Sequence, residues 1–355
     1  MSSSFQSILV AGGAGFIGSN FVHYLRQAHP STRIVVVDKL TYAGNVANLK
    51  QSLGDDEVEF VEGDIADQEL MEKLTAGCDG EVNFAAESHN DRALLDPGSF
   101  VETNVRGAGV LAYAAATQGV ERYVHVSTDE VYGQIAEGAF KEGDELRPRS
   151  TYPATKASGE MMVLAAVESF GLQAAITRGV NNIGPYQHPE KALPLFVTNA
   201  IDDLPLPVYG DGTQVRDRMH VRDHCTAIDL VLREGKAGEA YNVGAGNECT
   251  NMYMVEKILD RLGKPASLIT HIEDRTGHDF RYSVDWTRLR ELGWKPEFGL
   301  DAALEDTIDW YRDNEWWWRE SRSGDFEEYY EKLYGDRLRK AEPRGRYGGR
   351  GLDTV

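Results

Sequence analysis

The chain has 355 residues, 41% hydrophobic and 26% charged, proportions of a globular protein with room for one large domain or two. Its 57 acidic side chains outnumber 37 basic ones, for a net charge of −20. Such a field repels nucleic acid and anionic membrane surfaces, so neither is expected as a partner. The charge favours solubility, and a salty cytoplasm would screen its self-repulsion. It still leaves room for an anionic ligand held by local Arg and Lys. Cys78, Cys225 and Cys249 match no zinc or disulfide spacing, so no metal is expected. The N-terminal M-S-S-S-F-Q lacks a basic region, and no apolar run approaches the ~20 residues of a membrane helix. The expectation is a cytoplasmic protein.

In chain order, Ile8 to Ala11 reads as a short apolar strand running into G-G-A-G-F-I-G-S-N, with glycines at Gly12, Gly15 and Gly18 and a helical F-V-H-Y-L-R behind them. Glycines there permit a tight turn and close approach of the backbone to a pyrophosphate, while the helix N-terminus offers unpaired N–H groups. A second strand, R-I-V-V-V-D, ends in Asp38, twenty residues after Gly18. A carboxylate at that point accepts ribose hydroxyls and repels the extra phosphate of NADP, which favours NAD; Lys39 stands beside it. A P-loop is excluded because the Walker lysine is missing.

The beat continues. V-E-F-V-E-G-D-I precedes Asp64, V-N-F-A-A-E-S reaches Ser88, and Y-V-H-V-S-T runs into Asp129 and Glu130. Alternating strands and helices predict an α/β fold, a Rossmann-type doubly wound parallel sheet whose ligands gather at the carboxyl ends of the strands. The acidic pair therefore falls at the rim of a dinucleotide site.

Further on, S-T-Y-P-A-T-K places Tyr152 and Lys156 four residues apart on one helix face. A tyrosine titrates near ~10, so it serves as a base only when positive charge stabilises its phenolate. Lys156 and an oxidised nicotinamide would supply that charge. The glycine motif, a strand ending in Ser127 and Thr128, and the Tyr/Lys pair together resemble the extended short-chain dehydrogenase/reductase family.

Within it, D-K-L-T-Y-A-G-N, A-A-E-S-H, S-T-D-E-V-Y-G, N-N-I-G-P-Y-Q-H-P-E-K, V-Y-G-D-G-T-Q-V-R-D and D-R-T-G-H-D resemble the dTDP-glucose 4,6-dehydratases, over residues 8 to about 320. The resemblance implies oxidation at C4 of the sugar with Tyr152 taking the O4 proton, loss of water across C5 and C6, and return of the hydride to C6. Thr128, Asp129, Glu130, Tyr152 and Lys156 would be catalytic, with Glu130 the base and Asp129 the acid. Phe16, Ile17, Asp38, Asp64, Ile65, Ala85, Ala86, Thr103 and Asn182 would line a tightly held NAD, beside the glycines, Lys39, Tyr152 and Lys156. The nucleotide-sugar substrate, with dTDP-glucose preferred, would meet Ser88, Thr128, Asn181, Lys191, Pro207, Tyr209, Arg216, Asn251, Arg275 and His278. A homodimer built from helices of the NAD domain is also implied. A sugar-nucleotide epimerase or decarboxylase, and a non-catalytic NAD-binding regulator, are the competing readings.

Three stretches depart from the pattern: H-N-D-R-A, where Val usually follows the His; R-T-G-H, with Thr276 for a proline; and R-M-H-V at 218 to 221, in place of a more aromatic run. They are expected to bear on nucleotide preference and to leave the acid, the base and the tyrosine untouched. The expected organisation is an NAD-binding domain over 1–180, to which later segments return, a smaller α/β C-terminal substrate-binding region over 181–335, and a mobile Gly/Arg-rich tail over 336–355. An RNA-binding tail is the competing view. W-W-W at 316 to 318 is expected to pack.

Overall fold

The computed structural model describes residues 5–274, 279–322 and 325–341. Twelve strands are present among them: β1 (Ser7–Ala11), β2 (Arg33–Asp38), β3 (Val58–Glu62), β4 (Gly80–Asn83), β5 (Arg122–Thr128), β6 (Ala174–Gly179), β7 (Asn181–Ile183), β8 (Leu206–Tyr209), β9 (Val215–His220), β10 (Ala240–Val243), β11 (Glu248–Thr250) and β12 (Ile269–Ile272). Seven form one parallel sheet in the order β3-β2-β1-β4-β5-β6-β10. The order reverses between β1 and β4, the crevice where doubly wound sheets take their ligands.

Alternation along β1 and β2 explains the layers. Leu9, Ala11, Val35 and Val37 face the helices Gln68–Thr75, Ala108–Gln118 and Thr151–Phe170. Ile8, Val10, Ile34 and Val36 face the helices Phe16–Ala28 and Val221–Glu234. Buried on both sides, these strands read as continuous apolar runs.

From β7 onward the chain builds a smaller region. β9 pairs with β7 in parallel and with β11 antiparallel, while β8 and β12 form a parallel pair. β10 returns to the large sheet beside β6. A separate core joins helices Ala192–Ile201, Asn251–Leu262 and Leu300–Asp313 to the tryptophans. Trp317 and Trp318 pack as expected: both are buried, with indole N–H groups donated to Asn48 Oδ1 at 2.7 Å and Tyr311 O at 2.9 Å. Trp316 is exposed. Helix Asp336–Lys340 occupies the start of the stretch assigned to the tail; residues 342–355 lie outside the described residues. No described helix is long and apolar enough to cross a membrane.

The turn after β1 needs glycine. Gly12 has φ +74°, and a Cβ there would stand 2.5 Å from the Ala85 nitrogen. A Cβ on Gly18 would strike the Gly12 carbonyl. Gly12→Ala is expected to cost about 1–3 kcal/mol from backbone strain alone, read by denaturant unfolding of the purified variant.

Candidate active site

The carboxyl ends of β1, β2 and β4 frame a first cavity lined by Gly12, Gly15, Asp38, Lys39, Asp64, Ile65, Ala85, Ala86 and Thr103. Helix Phe16–Ala28 opens onto this edge with Gly15 at its N-cap, no side-chain cap and no acidic residue in its first turn. Its leading N–H groups and positive dipole end thus meet an anion without competition. Asp38 accepts from Ala14 N and Leu40 N, both at 2.9 Å. Burial raises its pKa, against those two hydrogen bonds. Lys39 pairs with Asp64 at 2.6 Å, so its charge is answered within the protein rather than offered to a ribose phosphate. A glycine cradle, an open helix end and a carboxylate at the end of β2 lining the cavity fit NAD. Phe16 and Ile17 pack partly against the core, and Gly18 lies buried beneath the turn.

β5 delivers the acidic pair. Thr128 caps the turn Asp129–Tyr132, its Oγ1 accepting from Glu130 N at 3.3 Å. The turn gives the neighbours different exposure: Asp129 is only 3% exposed, while Glu130 lines a second cavity. Burial, then the charge of Glu130, drives the Asp129 carboxyl well above the usual carboxylate range; Arg216 opposes this in part.

Helix Thr151–Phe170 brings Tyr152 beside Thr128 and Lys156 beneath β5. Burial and the Glu130 charge raise the Tyr152 phenol, which a hydrogen bond with Thr128 partly offsets. Lys156 donates to Val126 O at 2.7 Å, and burial pushes its ammonium down to about 8. The helix is pinned to β6 by Glu160, which takes Arg178 Nη2 at 2.7 Å in a buried ion pair.

The second cavity is lined by Ser88, Asn181, Lys191, Pro207, Tyr209, Arg216 and Asn251 from the sequence reading. Asn182 lines it too, rather than the first cavity. The loop after β4 borders both cavities, Glu87 lining the first and Ser88 the second. Arg275 and His278 lie outside the described residues, as does Thr276.

Several lining residues escaped the sequence reading: His89, Asn90, Glu190, Arg218, Tyr282 and Tyr334. Arg218 had a signal, since it stands two residues after Arg216 on β9 and so shares its face. It donates to Asn251 Oδ1 at 2.7 Å, and its buried Nε has no partner among the described residues. Arg216, by contrast, is largely committed to the carbonyls of Val215, Asp279 and Phe280. Asn90 corrects an expectation. The H-N-D-R-A departure does touch the acidic pair, because Asn90 Nδ2 donates to Glu130 Oε2 at 3.0 Å. Sequence spacing carries no sign of a contact across forty residues.

A dinucleotide cradle with a polar cavity beside it defines a nicotinamide enzyme that works on a polar ligand. The chain belongs to the NAD dependent epimerase/dehydratase family, whose model matches residues 8–244. It is 49% identical over 323 residues to the dTDP-glucose 4,6-dehydratase of Streptomyces niveus, covering 90% of this chain and 96% of the relative. It is 48% identical over 306 residues to the low-salt glycan biosynthesis protein Agl12 of Haloferax volcanii, covering 86% and 98%. Among solved structures, DesIV, a dTDP-glucose 4,6-dehydratase from Streptomyces venezuelae with NAD and TYD bound, superimposes with a TM-score of 0.86 at 48% identity, covering 89% of this chain and 99% of that one.

Lys156 makes the electrostatics testable. Its folded pKa of about 8 lies below the ordinary 10.5, so the folded state binds its proton more weakly than the unfolded chain. The resulting penalty, on the order of 3 kcal/mol, is full below about pH 8 and fades as pH rises toward 10.5. Lys156→Met is therefore expected to melt higher than the parent at neutral pH, with the gap closing over that window in thermal scans.

Proposed function

We propose that the protein dehydrates dTDP-glucose to the 4-keto-6-deoxy sugar with NAD as resident cofactor. The observation that carries this is the unequal exposure of Asp129 and Glu130, neighbours in sequence of which one is buried and the other lines the cavity. Elimination across C5 and C6 calls for a base at one carbon and an acid at the other's hydroxyl, and environment assigns those roles to a carboxyl pair.

The glycine turn, the open end of helix Phe16–Ala28 and Asp38 hold the cofactor. NAD, when bound, supplies the acceptor for the C4 hydride and its later return to C6. Tyr152 takes the O4 proton, with Thr128 on its phenol; the Lys156 ammonium favours the phenolate against burial and Glu130. The C4 ketone acidifies the C5 hydrogen, which Glu130 removes. Asp129, kept protonated by burial, gives its proton to the C6 hydroxyl, which departs as water. Glu130 then returns a proton to C5, and solvent carries the Tyr152 proton away and restores that of Asp129. Lys191, Arg216, Arg218 and Asn251 line the cavity with donors, the groups a diphosphate needs.

An epimerase or decarboxylase would share the hydride chemistry but has no use for an acid at C6. Incubation with dTDP-glucose deuterated at C4 is expected to give a product lighter by one water with the label on its methyl group. Label elsewhere, or no water loss with dTDP-, UDP-, CDP- or GDP-glucose, would sink the reading. Tyr152→Phe and Asp129→Asn are each expected to lower turnover by at least about a hundredfold, with NAD retained.

The same proposal includes a homodimer. Helices Ala108–Gln118 and Thr151–Phe170 expose Tyr113, Met161, Met162 and Phe170, with Phe170 57% exposed and its ring 5.5 Å from that of Tyr113. Apolar groups gathered on a surface face fit a self-complementary contact with a second copy. Met161→Glu combined with Phe170→Glu is expected to shift the protein from dimer to monomer in sedimentation velocity. A parent that sediments as a monomer would refute the dimer.

A further inference from the structure

Asn90 opens the short helical turn Asn90–Ala93 that follows the β4 loop, and its side chain lies between two partners. Nδ2 donates to Glu130 Oε2 at 3.0 Å, and Oδ1 accepts from Ser150 Oγ at 2.8 Å. Ser150 stands at the N-cap of helix Thr151–Phe170, where a serine normally accepts one of the helix's own N–H groups. No such capping bond forms. The hydroxyl turns to Asn90 instead.

The polarity of this chain follows from its ends. An ionised carboxylate can only accept, an amide nitrogen can only donate and an amide oxygen can only accept. A hydroxyl donating to Oδ1 therefore fixes the amide so that its N–H faces Glu130. Asn90 supplies the one side-chain hydrogen bond of the Glu130 carboxylate among the described residues. It holds Oε2 and leaves Oε1 with no side-chain hydrogen bond among the described residues, in a residue that lines the cavity. The line also begins two residues before Tyr152, so the segment that sets the O4 base also sets the C5 base.

We infer that Asn90 is a positioning residue for Glu130, oriented by Ser150, and that it aims the carboxylate at the C5 hydrogen. This rests on the reading of Glu130 as the C5 base. Asn90 itself need not touch the reacting atoms. Its contribution is orientation, which a near-isosteric apolar side chain would remove without enlarging the cavity.

The test uses the holoenzyme with the 4-keto-6-deoxy nucleotide sugar in deuterated water, following solvent exchange at C5 by NMR, a reaction of the base alone. Nucleotide affinity is measured in parallel with dTDP. Asn90→Leu is expected to lower the saturating exchange rate at least about tenfold, the value of one hydrogen bond to a charged group, with dTDP affinity within about twofold of the parent. Ser150→Ala is expected to shift the rate the same way by a smaller factor. An unchanged rate in folded Asn90→Leu, or a fall matched by equal loss of dTDP binding, would overturn the inference. Should Asn90→Leu fail to fold, Ser150→Ala decides, and an unchanged rate there overturns it. A parent enzyme that neither exchanges C5 nor releases water fails the functional reading itself, whereas normal exchange in parent and variants alike leaves that reading standing and removes only Asn90's role.

Discussion

Two carboxylates joined by a single peptide unit cannot both be charged and both be dry. Mutual repulsion and lost hydration would each disfavour the second charge. The turn Asp129–Tyr132 resolves the conflict by exposure: Thr128 caps it, Asp129 is buried and Glu130 lines the cavity. Different surroundings then separate the pair, burial and the Glu130 charge lifting the Asp129 carboxyl well above the usual carboxylate range. Much of the site is arranged around this separation. Arg216 tempers the isolation of Asp129, Asn90 steadies Glu130, and Tyr152 lies within the field of Glu130.

The parallel sheet makes the arrangement possible. Because β1, β2, β4, β5 and β6 run the same way, their carboxyl ends deliver Gly12, Asp38, Ala85, Thr128 and Asn181 to one edge. The helix carrying Tyr152 and Lys156 is set against this edge by the Glu160–Arg178 pair and by Lys156 on the Val126 carbonyl. A buried ion pair is weak evidence for stability, yet breaking one is costly, which gives it a role in holding position. Against the net charge of −20, the second cavity sets Lys191, Arg216 and Arg218 beside Asp91, Glu130 and Glu190, a local balance of the two signs.

The sequence reading saw much of this and missed a definable part. The glycine turn, Asp38, the pair after β5 and the Tyr/Lys helix were legible because each is a local pattern: a strand of period two, a turn residue, a helix of period four. Arg218 was legible in principle by the same rule. Asn90 was passed over as a departure of no consequence to the acid and base, and Tyr334 was not singled out. Both lie far along the chain from what they approach, Asn90 forty residues from Glu130 and Tyr334 125 from Tyr209.

By itself, then, the sequence settled the class of fold and the alternation of its strands and helices, since burial on two faces writes itself into continuous apolar runs and turns into glycine and aspartate. It also supplied the candidate residues of the site. Only the tertiary structure decided which of the two neighbouring carboxylates is dry, which amide bonds the other, and which cavity arginine keeps a nitrogen without a partner among the described residues. Those outcomes depend on solvent exclusion and hydrogen bonds between distant segments, and no local pattern of residues encodes them.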